Sequence, residues 1–154
     1  MEKFKELIQT ANRAIKTADH LTYMTYPLVN DTKLLITIVE NIHSAVISSM
    51  DALLHYDYYY KRISQLPMDF RSRLDIFKGY TIGKYNLARD SVVLIQDING
   101  IMSHRSKSPV EFIRKGELVL CTNDYKMKSI NFIKVKDYTN QAKDFVRKVS
   151  SILT

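Results

Sequence analysis

The chain has 154 residues, of which 45% are hydrophobic and 25% are charged, with only four Gly and three Pro. This composition is typical of one compact domain and excludes a disordered or low-complexity chain. The single cysteine, Cys121, excludes both an intramolecular disulfide and a cysteine-based zinc cluster, and it favours a reducing, cytoplasmic setting.

The net charge of +7 is unevenly distributed along the chain. Residues 103–154 carry eleven Lys and Arg against five Asp and Glu, whereas residues 1–102 carry twelve against eleven. The C-terminal third is therefore the part that would meet an anionic surface such as RNA, DNA or acidic lipid.

Neither the N-terminus nor the most apolar stretch of the chain indicates a membrane protein. Residues 1–6 are charged and amphipathic, without the apolar core and cleavage site of a signal peptide. The most apolar stretch, residues 34–54, contains Glu40, Asn41, His43 and Asp51, which are costly in hydrocarbon. We expect neither secretion nor a membrane-spanning helix.

Two amphipathic helices open the chain. Apolar residues at three- and four-residue intervals predict a helix over about residues 3–20, and Pro27 bounds the segment that follows. Asn30 or Asp31 can cap a longer second helix that runs to about Ser64. Its seam needs partners on both flanks, either the first helix or the same helix of a second subunit, so we expect a homodimer. The seam comprises Leu35, Val39, Ile42, Val46, Ser49, Leu53, Tyr56, Tyr60 and Ile63.

The remaining elements alternate between helix and a short β region. Asp69 can cap a short helix that ends at Gly79, and a further helix is predicted over about residues 86–105, ended by Pro109. Turn signals at Lys115-Gly116 and Asn123-Asp124 predict two or three strands, at about residues 112–114, 117–121 and 125–130. A terminal helix through Val135 to Ile152 follows.

These elements predict a mainly α fold. Residues 1–154 would form a single antiparallel bundle of four to five helices, with a small β-hairpin or meander inserted at about residues 111–130, before the last helix.

Basic side chains of the C-terminal third are the candidate nucleic-acid contacts. The basic side chains of the last helix share one face with Asn140, opposite the apolar seam. The remaining ones follow His104 or lie on the hairpins. Packed together, they would form one phosphate-binding surface. A solvated face and protection of strand edges are the alternative explanations. The set is Arg105, Lys107, Arg114, Lys115, Lys126, Lys128, Lys136, Lys143 and Arg147.

The tyrosine run before Lys61-Arg62 has the composition of a base-stacking platform. Tyr56 and Tyr60 belong to the buried seam, so only Tyr58 and Tyr59 are expected to be free. The four histidines show no metal-ligand spacing, and we predict neither a metal site nor a cofactor.

Residues 44–54, the small-residue run SAVISSMDALL, follow a long amphipathic helix and resemble the leading hairpin of HEPN domains. The resemblance covers less than half of the chain. It implies a helical, often dimeric, RNA-associated protein, and active members of that family are metal-independent ribonucleases with an Arg followed at a short spacing by a His. Arg13 and His20 match the spacing, on the first helix, whereas the family carries the motif near the last helix of its core.

The leading hypothesis is a non-catalytic cytoplasmic adaptor, homodimeric through its second helix, that docks on RNA or a ribonucleoprotein with its basic C-terminal third. The enzyme alternative is a HEPN-like ribonuclease in which His20 moves protons and Arg13 stabilises phosphoryl charge. A third alternative is a structural module whose partner is an acidic protein.

Overall fold

The fold is a helical bundle with a small sheet inserted before its last helix, which confirms the predicted fold class. The computed structural model describes residues 2–108, 110–122, 124 and 126–154. In this part of the chain the helices are α1 (Lys3–His20), α2 (Tyr26–Val29), α3 (Leu34–Tyr59), α4 (Phe70–Ile76), α5 (Ile82–Tyr85), α6 (Asp90–Ser106) and α7 (Phe132–Leu153). The strands are β1 (Val110–Arg114), β2 (Glu117–Cys121) and β3 (Met127–Ile130).

The first helix continues past its predicted end at His20. A π-helical turn (Leu21–Thr25) carries the chain from α1 directly into α2. Pro27 therefore lies in the first turn of α2 and does not end a helix. A proline inside a continuous helical segment removes one backbone hydrogen bond, and here it lies just after the π-helical turn in which the regular α-helical pattern is interrupted. The left-handed backbone of Asn30, with φ of 51°, ends the segment.

α3 is the central helix of the bundle. It packs against α1, α6 and α7, and none of its residues 41–57 is exposed. The chain itself thus supplies the partners that the long apolar seam requires. The homodimer through this helix stays a prediction, but the apolar seam that suggested it is covered by helices of the same chain.

α3 ends at Tyr59, earlier than the apolar pattern predicts. Lys61 adopts a left-handed conformation with φ of 60°, and the Arg62 N–H donates to the Asp57 carbonyl at 2.8 Å. This pattern of a left-handed residue and a backward hydrogen bond is a common way to close a helix. Tyr60, predicted to lie on the buried seam, is consequently 51% exposed.

Two predicted helix caps have different outcomes. Asp69 caps α4 as expected, since its Oδ2 accepts the Ser72 N–H at 2.9 Å. Asp31 does not cap α3; its Oδ1 accepts the Lys33 N–H at 3.0 Å, in the turn before the helix begins. The short side chain of Asp31 therefore stabilises a local turn, a common alternative to capping.

Gly79 does not end the helix that Asp69 begins. A π-helical turn (Phe77–Thr81) joins α4 to α5, and Gly79 lies inside it. The segment ends at Asn86, whose φ of 53° is left-handed. α6 accordingly begins at Asp90, later than predicted. Pro109, expected to end α6, lies outside the described residues.

The three strands form an antiparallel meander in the order β1-β2-β3. Lys115 and Gly116 join β1 to β2 with φ values of 53° and 76°, the signature of a tight hairpin turn at the predicted position. Leu118 and Leu120 of β2 are buried in the core, and the Leu120 carbonyl lies 3.2 Å from Nε2 of His104 on α6. The second predicted turn includes Asn123, which with Tyr125 lies outside the described residues.

The core is built from α1, α3, α6 and α7, with Ile42 and Leu53 fully buried at its centre. Asn131 caps α7 through an Oδ1 that accepts the Lys134 N–H at 2.8 Å. None of the helices that the structure describes combines the length and the apolar character that a bilayer crossing requires.

Candidate functional site

The nine candidate phosphate contacts lie in separate neighbourhoods with different partners. Three lie along the exposed face of α7, three surround the end of α6, and two form the tip of the β1–β2 hairpin. Arg105 stands apart, within a cluster of carboxylates. The three on α7 are Lys136, Lys143 and Arg147, the three around the end of α6 are Lys107, Lys126 and Lys128, and the two at the hairpin tip are Arg114 and Lys115.

Tyr23 organises the neighbourhood on α7. The Lys136 and Lys143 ammonium groups lie 5.4 and 5.6 Å from its ring centroid. Its hydroxyl donates to Oδ1 of Asn140 at 2.6 Å. Each cation–π contact at an exposed ring is worth about 0.5–1 kcal/mol, which orients a lysine while leaving its N–H donors available.

A buried pair of threonines fixes Tyr23 against α7. The Thr22 hydroxyl donates to the Ala18 carbonyl at 2.7 Å and lies 3.1 Å from the Thr139 hydroxyl, with both threonines fully buried. Thr22 belongs to the π-helical turn, where the extra residue changes the direction of the side chains that follow. The turn thereby places Tyr23 over the basic face of α7.

A cleft of about 520 Å³ beside Tyr23 brings two sequence hypotheses together. His20, the candidate general acid–base, lines it with Lys143, a candidate phosphate contact. Lys16, one helical turn before His20, also lines the cleft. We call this set the Tyr23 surface: Lys16, His20, Tyr23, Lys136, Asn140 and Lys143.

One carboxylate lies within the Tyr23 surface. Lys143 Nζ is 2.9 Å from Oδ1 of Asp19, with 44% and 39% of the two side chains exposed. Ion pairs in such wet positions contribute little, about 0–1 kcal/mol. A phosphate can therefore compete with Asp19 for the Lys143 ammonium.

Arg13 is not among the residues that line this cleft. It is exposed and lies two turns before His20 on α1, about 10 Å away along the helix axis. The cation one turn from His20 is Lys16. The spacing that resembles the HEPN motif thus leaves its two residues on one face of α1 without a shared cleft.

Arg105 is engaged by two carboxylates. Its Nε donates to Glu111 at 3.0 Å and its Nη1 to Glu40 at 3.1 Å. It thereby connects α6 to both α3 and β1. These pairs are about as exposed as that of Lys143, and Arg105 differs from Lys143 in contacting two carboxylates, which together outweigh its single positive charge.

Arg147 pairs with a neighbour on its own helix, Asp144, at 2.6 Å. Both side chains are more than two-thirds exposed, at 77% and 70%, so water weakens the pair. Arg147 therefore extends the exposed basic face of α7 beyond Lys143.

A second basic cleft, of about 480 Å³, lies between the end of α6 and the chain between β2 and β3. Lys107 and Lys126 line it, together with His104 and Asp124. Lys128 lies close by, with its ammonium beside Gly100 of α6. We call it the α6-end cleft.

Two of the histidines that sequence reasoning set aside, His43 and His104, are half-buried and have polar partners. His43 Nε2 lies 3.3 Å from Oδ1 of Asn99, and His104 has the Leu120 carbonyl. Over the residues that the structure describes, no three His, Cys, Asp or Glu side chains come together as a metal-ligand set.

Sequence reasoning found the lysines of the Tyr23 surface on α7 but missed Lys16 and Tyr23. The signal for Lys16 was present, because it precedes His20 by one helical turn on the same face. Tyr23 had no such signal, because it lies in the π-helical turn and its partner, Asn140, is far from it along the chain.

Comparison with protein-family models, with curated proteins and with solved structures finds no match for this chain. The resemblance to HEPN domains therefore stays a prediction.

Proposed function

We propose that this protein is a non-catalytic RNA-binding adaptor that docks on RNA or a ribonucleoprotein through the Tyr23 surface. The α6-end cleft and the tip of the β1–β2 hairpin supply further phosphate contacts. Relative to the hypothesis from sequence, the proposal adds Lys16, His20 and Tyr23 and no longer depends on Arg105.

The observation that carries the proposal is the pair of ammonium groups over Tyr23. Lys136 and Lys143 are oriented by one aromatic ring, and Lys16 adds a third exposed cation against a single carboxylate, Asp19. Neutralising phosphates with such lysines dominates the affinity of proteins for nucleic acids.

Tyr23 also offers a stacking surface to an unpaired base. The side chain is 39% exposed, and its ring is held by the hydrogen bond to Asn140. An aromatic ring beside cations is the usual composition of a surface that binds single-stranded nucleic acid. The proposed ligand is therefore single-stranded RNA or an unpaired loop.

Charge reversal on α7 tests the proposal. The double variant Lys136→Glu, Lys143→Glu is expected to weaken binding of random-sequence single-stranded RNA at low salt by about tenfold or more, because two phosphate contacts become repulsive. Fluorescence anisotropy with labelled RNA measures the affinity.

A matched control separates a local contact from the effect of net charge. Lys33 and Lys78 are exposed lysines elsewhere in the bundle, so Lys33→Glu, Lys78→Glu makes the same change in net charge. This control is expected to bind RNA nearly as well as the wild type. Equal losses in the two double variants, or no RNA binding by the wild-type protein, would reject the proposed surface.

A second candidate function, a metal-independent ribonuclease, is favoured by one observation: His20 is exposed in a cleft with Lys16 and Lys143. In that case His20 would transfer protons and the lysines would stabilise charge on the phosphate. It predicts that His20→Ala abolishes cleavage of RNA while binding remains. RNA that stays intact during prolonged incubation with the wild-type protein decides for the adaptor.

The proposal also concerns self-association of the protein and its location in the cell. Because residues 41–57 of α3 are covered by the chain's own helices, a second copy would have to contact another surface. Light scattering of the purified protein measures its mass. A cytoplasmic location is supported by the single, unpaired Cys121, which suits a reducing compartment.

A further inference from the structure

A cleft of about 610 Å³ lies where α3 ends beside the start of α1. Its volume is within the range of small-molecule sites. Aromatic and basic side chains dominate the lining, and no carboxylate of a described residue belongs to it. We call it the α3-end cleft; the residues used below are Lys3, Phe4, His55, Tyr58, Tyr59 and Lys61.

The aromatic wall is exposed but supported from below. Tyr58 and Tyr59 are 47% and 55% exposed. Phe4 is buried, and its ring meets that of Tyr59 edge to face, with 5.7 Å between the centroids. Such contacts restrict the ring of Tyr59, which lowers the entropy cost of stacking a ligand on this wall.

The basic side of the cleft is presented by the turn that closes α3. Lys61, with a φ of 60°, is the left-handed residue of this turn. Lys3, across the cleft, has only a loose contact of 3.8 Å with Glu6, so its ammonium is available to a ligand.

A buried carboxylate holds this turn in place. Oδ1 of Asp57 accepts hydrogen bonds from the guanidinium of Arg62 at 3.1 Å, the ammonium of Lys84 at 2.9 Å and the hydroxyl of Tyr85 at 2.7 Å. We call these four residues the Asp57 cluster. It fixes Arg62, the residue after Lys61, and its two cations exceed its one carboxylate, which favours an anion nearby.

We propose that the α3-end cleft binds a nucleotide, with the base stacked on Tyr58 and Tyr59 and the phosphate bound by Lys3 and Lys61. An aromatic wall and cations in one concave site match the two halves of such a ligand. Its source is either a free mononucleotide or one unit of an RNA strand. The site is independent of the proposed function, since it shares no residue with the Tyr23 surface.

Equilibrium dialysis of the full-length protein tests the ligand class, with AMP, UMP, adenosine and inorganic phosphate as probes. AMP and UMP are expected to bind more tightly than either adenosine or phosphate, because only a nucleotide uses both sides of the cleft. Absence of AMP and UMP binding overturns the proposal, and so does phosphate that binds as tightly as AMP.

The chain offers a closely matched pair of variants for the phosphate contact. Lys61 and Lys115 are both left-handed lysines, with φ of 60° and 53°. Asparagine tolerates this backbone conformation, so Lys61→Asn and Lys115→Asn both remove a charge with little strain. Lys61→Asn is expected to weaken AMP binding about fivefold to tenfold, and Lys115→Asn to leave it unchanged. Equal affinities in the two variants contradict the site.

The aromatic wall is tested by the double variant Tyr58→Ala, Tyr59→Ala, with thermal unfolding as the check on its fold. AMP binding is expected to fall about tenfold or more. Unchanged binding contradicts the stacking geometry. If this variant fails to fold, the pair of asparagine variants decides the question alone.

Two further probes identify the source and separate this site from the Tyr23 surface. In the Lys136→Glu, Lys143→Glu background, which weakens RNA binding at the Tyr23 surface, a short oligouridylate that binds more tightly than UMP identifies an RNA strand, and equal binding identifies a free nucleotide. The variant Lys136→Glu, Lys143→Glu is expected to bind AMP like the wild type, whether or not it binds RNA. Loss of AMP binding there would place the nucleotide on the Tyr23 surface and overturn the inference.

Discussion

The Asp57 cluster at the end of α3 and the Tyr23 surface use charge in opposite ways. At the end of α3 a fully buried carboxylate, Asp57, is surrounded by cations at hydrogen-bonding distance. On the Tyr23 surface the one carboxylate, Asp19, is 39% exposed and pairs with a lysine in water. The buried arrangement fixes structure, whereas the exposed one leaves its cations free to exchange partners.

The contrast also shows that local charge density and structural organisation are different properties. The first 102 residues are close to neutral, yet they contain a cluster in which one buried carboxylate accepts three hydrogen bonds. The C-terminal third carries the excess of Lys and Arg, mostly exposed or in weak surface pairs. A segment with almost no net charge can therefore contain an organised cluster of charged side chains, because its positive and negative charges cancel when the net charge is calculated.

The largest expected effect comes from removing the charge of the buried carboxylate in the Asp57 cluster. Asp57→Asn weakens the hydrogen bonds from Arg62 and Lys84, and we expect it to lower the free energy of unfolding by about 1–3 kcal/mol, since both cations can then turn to water. Urea denaturation measures it. A loss too small to resolve would show that the Asp57 cluster does not hold the end of α3.

Asp19→Asn is the matched change on the exposed side. We expect it to alter stability by less than about 1 kcal/mol, since its pair with Lys143 is exposed to water. It should also tighten RNA binding, because Asp19, which lines that cleft and competes with phosphate for Lys143, becomes neutral. Weaker RNA binding by this variant would contradict the role given to Lys143.

A smaller effect is expected from pH at the α3-end cleft. The pKa of His55 is lowered from 6.5, chiefly because the ring is partly buried and secondly because of the Arg73 guanidinium; Asp51 opposes this and Lys3 adds to it. The unfolded chain therefore binds this proton at a higher pH than the folded chain. It follows that the free energy of unfolding falls as the pH drops below about 6.5.

His55→Gln should flatten this dependence when urea midpoints are compared between about pH 7.5 and about pH 5.5. Asp51 contributes with the opposite sign at lower pH. Burial raises its pKa from 3.8 despite the Arg73 guanidinium, so stability is regained as the pH falls through that raised pKa toward 3.8. An unchanged pH profile in His55→Gln would assign the effect to another group.

Much of the fold was predictable because its elements follow local rules. The three- and four-residue spacing located α1, α3 and α7, and the Lys115-Gly116 turn located the first hairpin. The errors lie where the chain departs from those rules. The π-helical turns at Leu21–Thr25 and Phe77–Thr81 carry helices past Pro27 and Gly79, and no sequence period marks a π-helical turn.

The residues of the proposed Tyr23 surface were predictable only where they share a helix. Lys136 and Lys143 were recognised on one face of α7, but their aromatic partner, Tyr23, comes from the other end of the chain. Asp57 did give a signal: it follows Leu53 by four residues and so lies on the buried face of α3. A charged residue on such a face usually has a partner.

The salt dependence of RNA binding tests the central claim most directly. If the Tyr23 surface contacts phosphates through Lys136 and Lys143, the slope of log affinity against log salt should become shallower by about 0.7 for each lost contact in Lys136→Glu, Lys143→Glu. The matched Lys33→Glu, Lys78→Glu variant should keep the wild-type slope. Identical slopes in all three proteins would contradict docking of RNA on this surface.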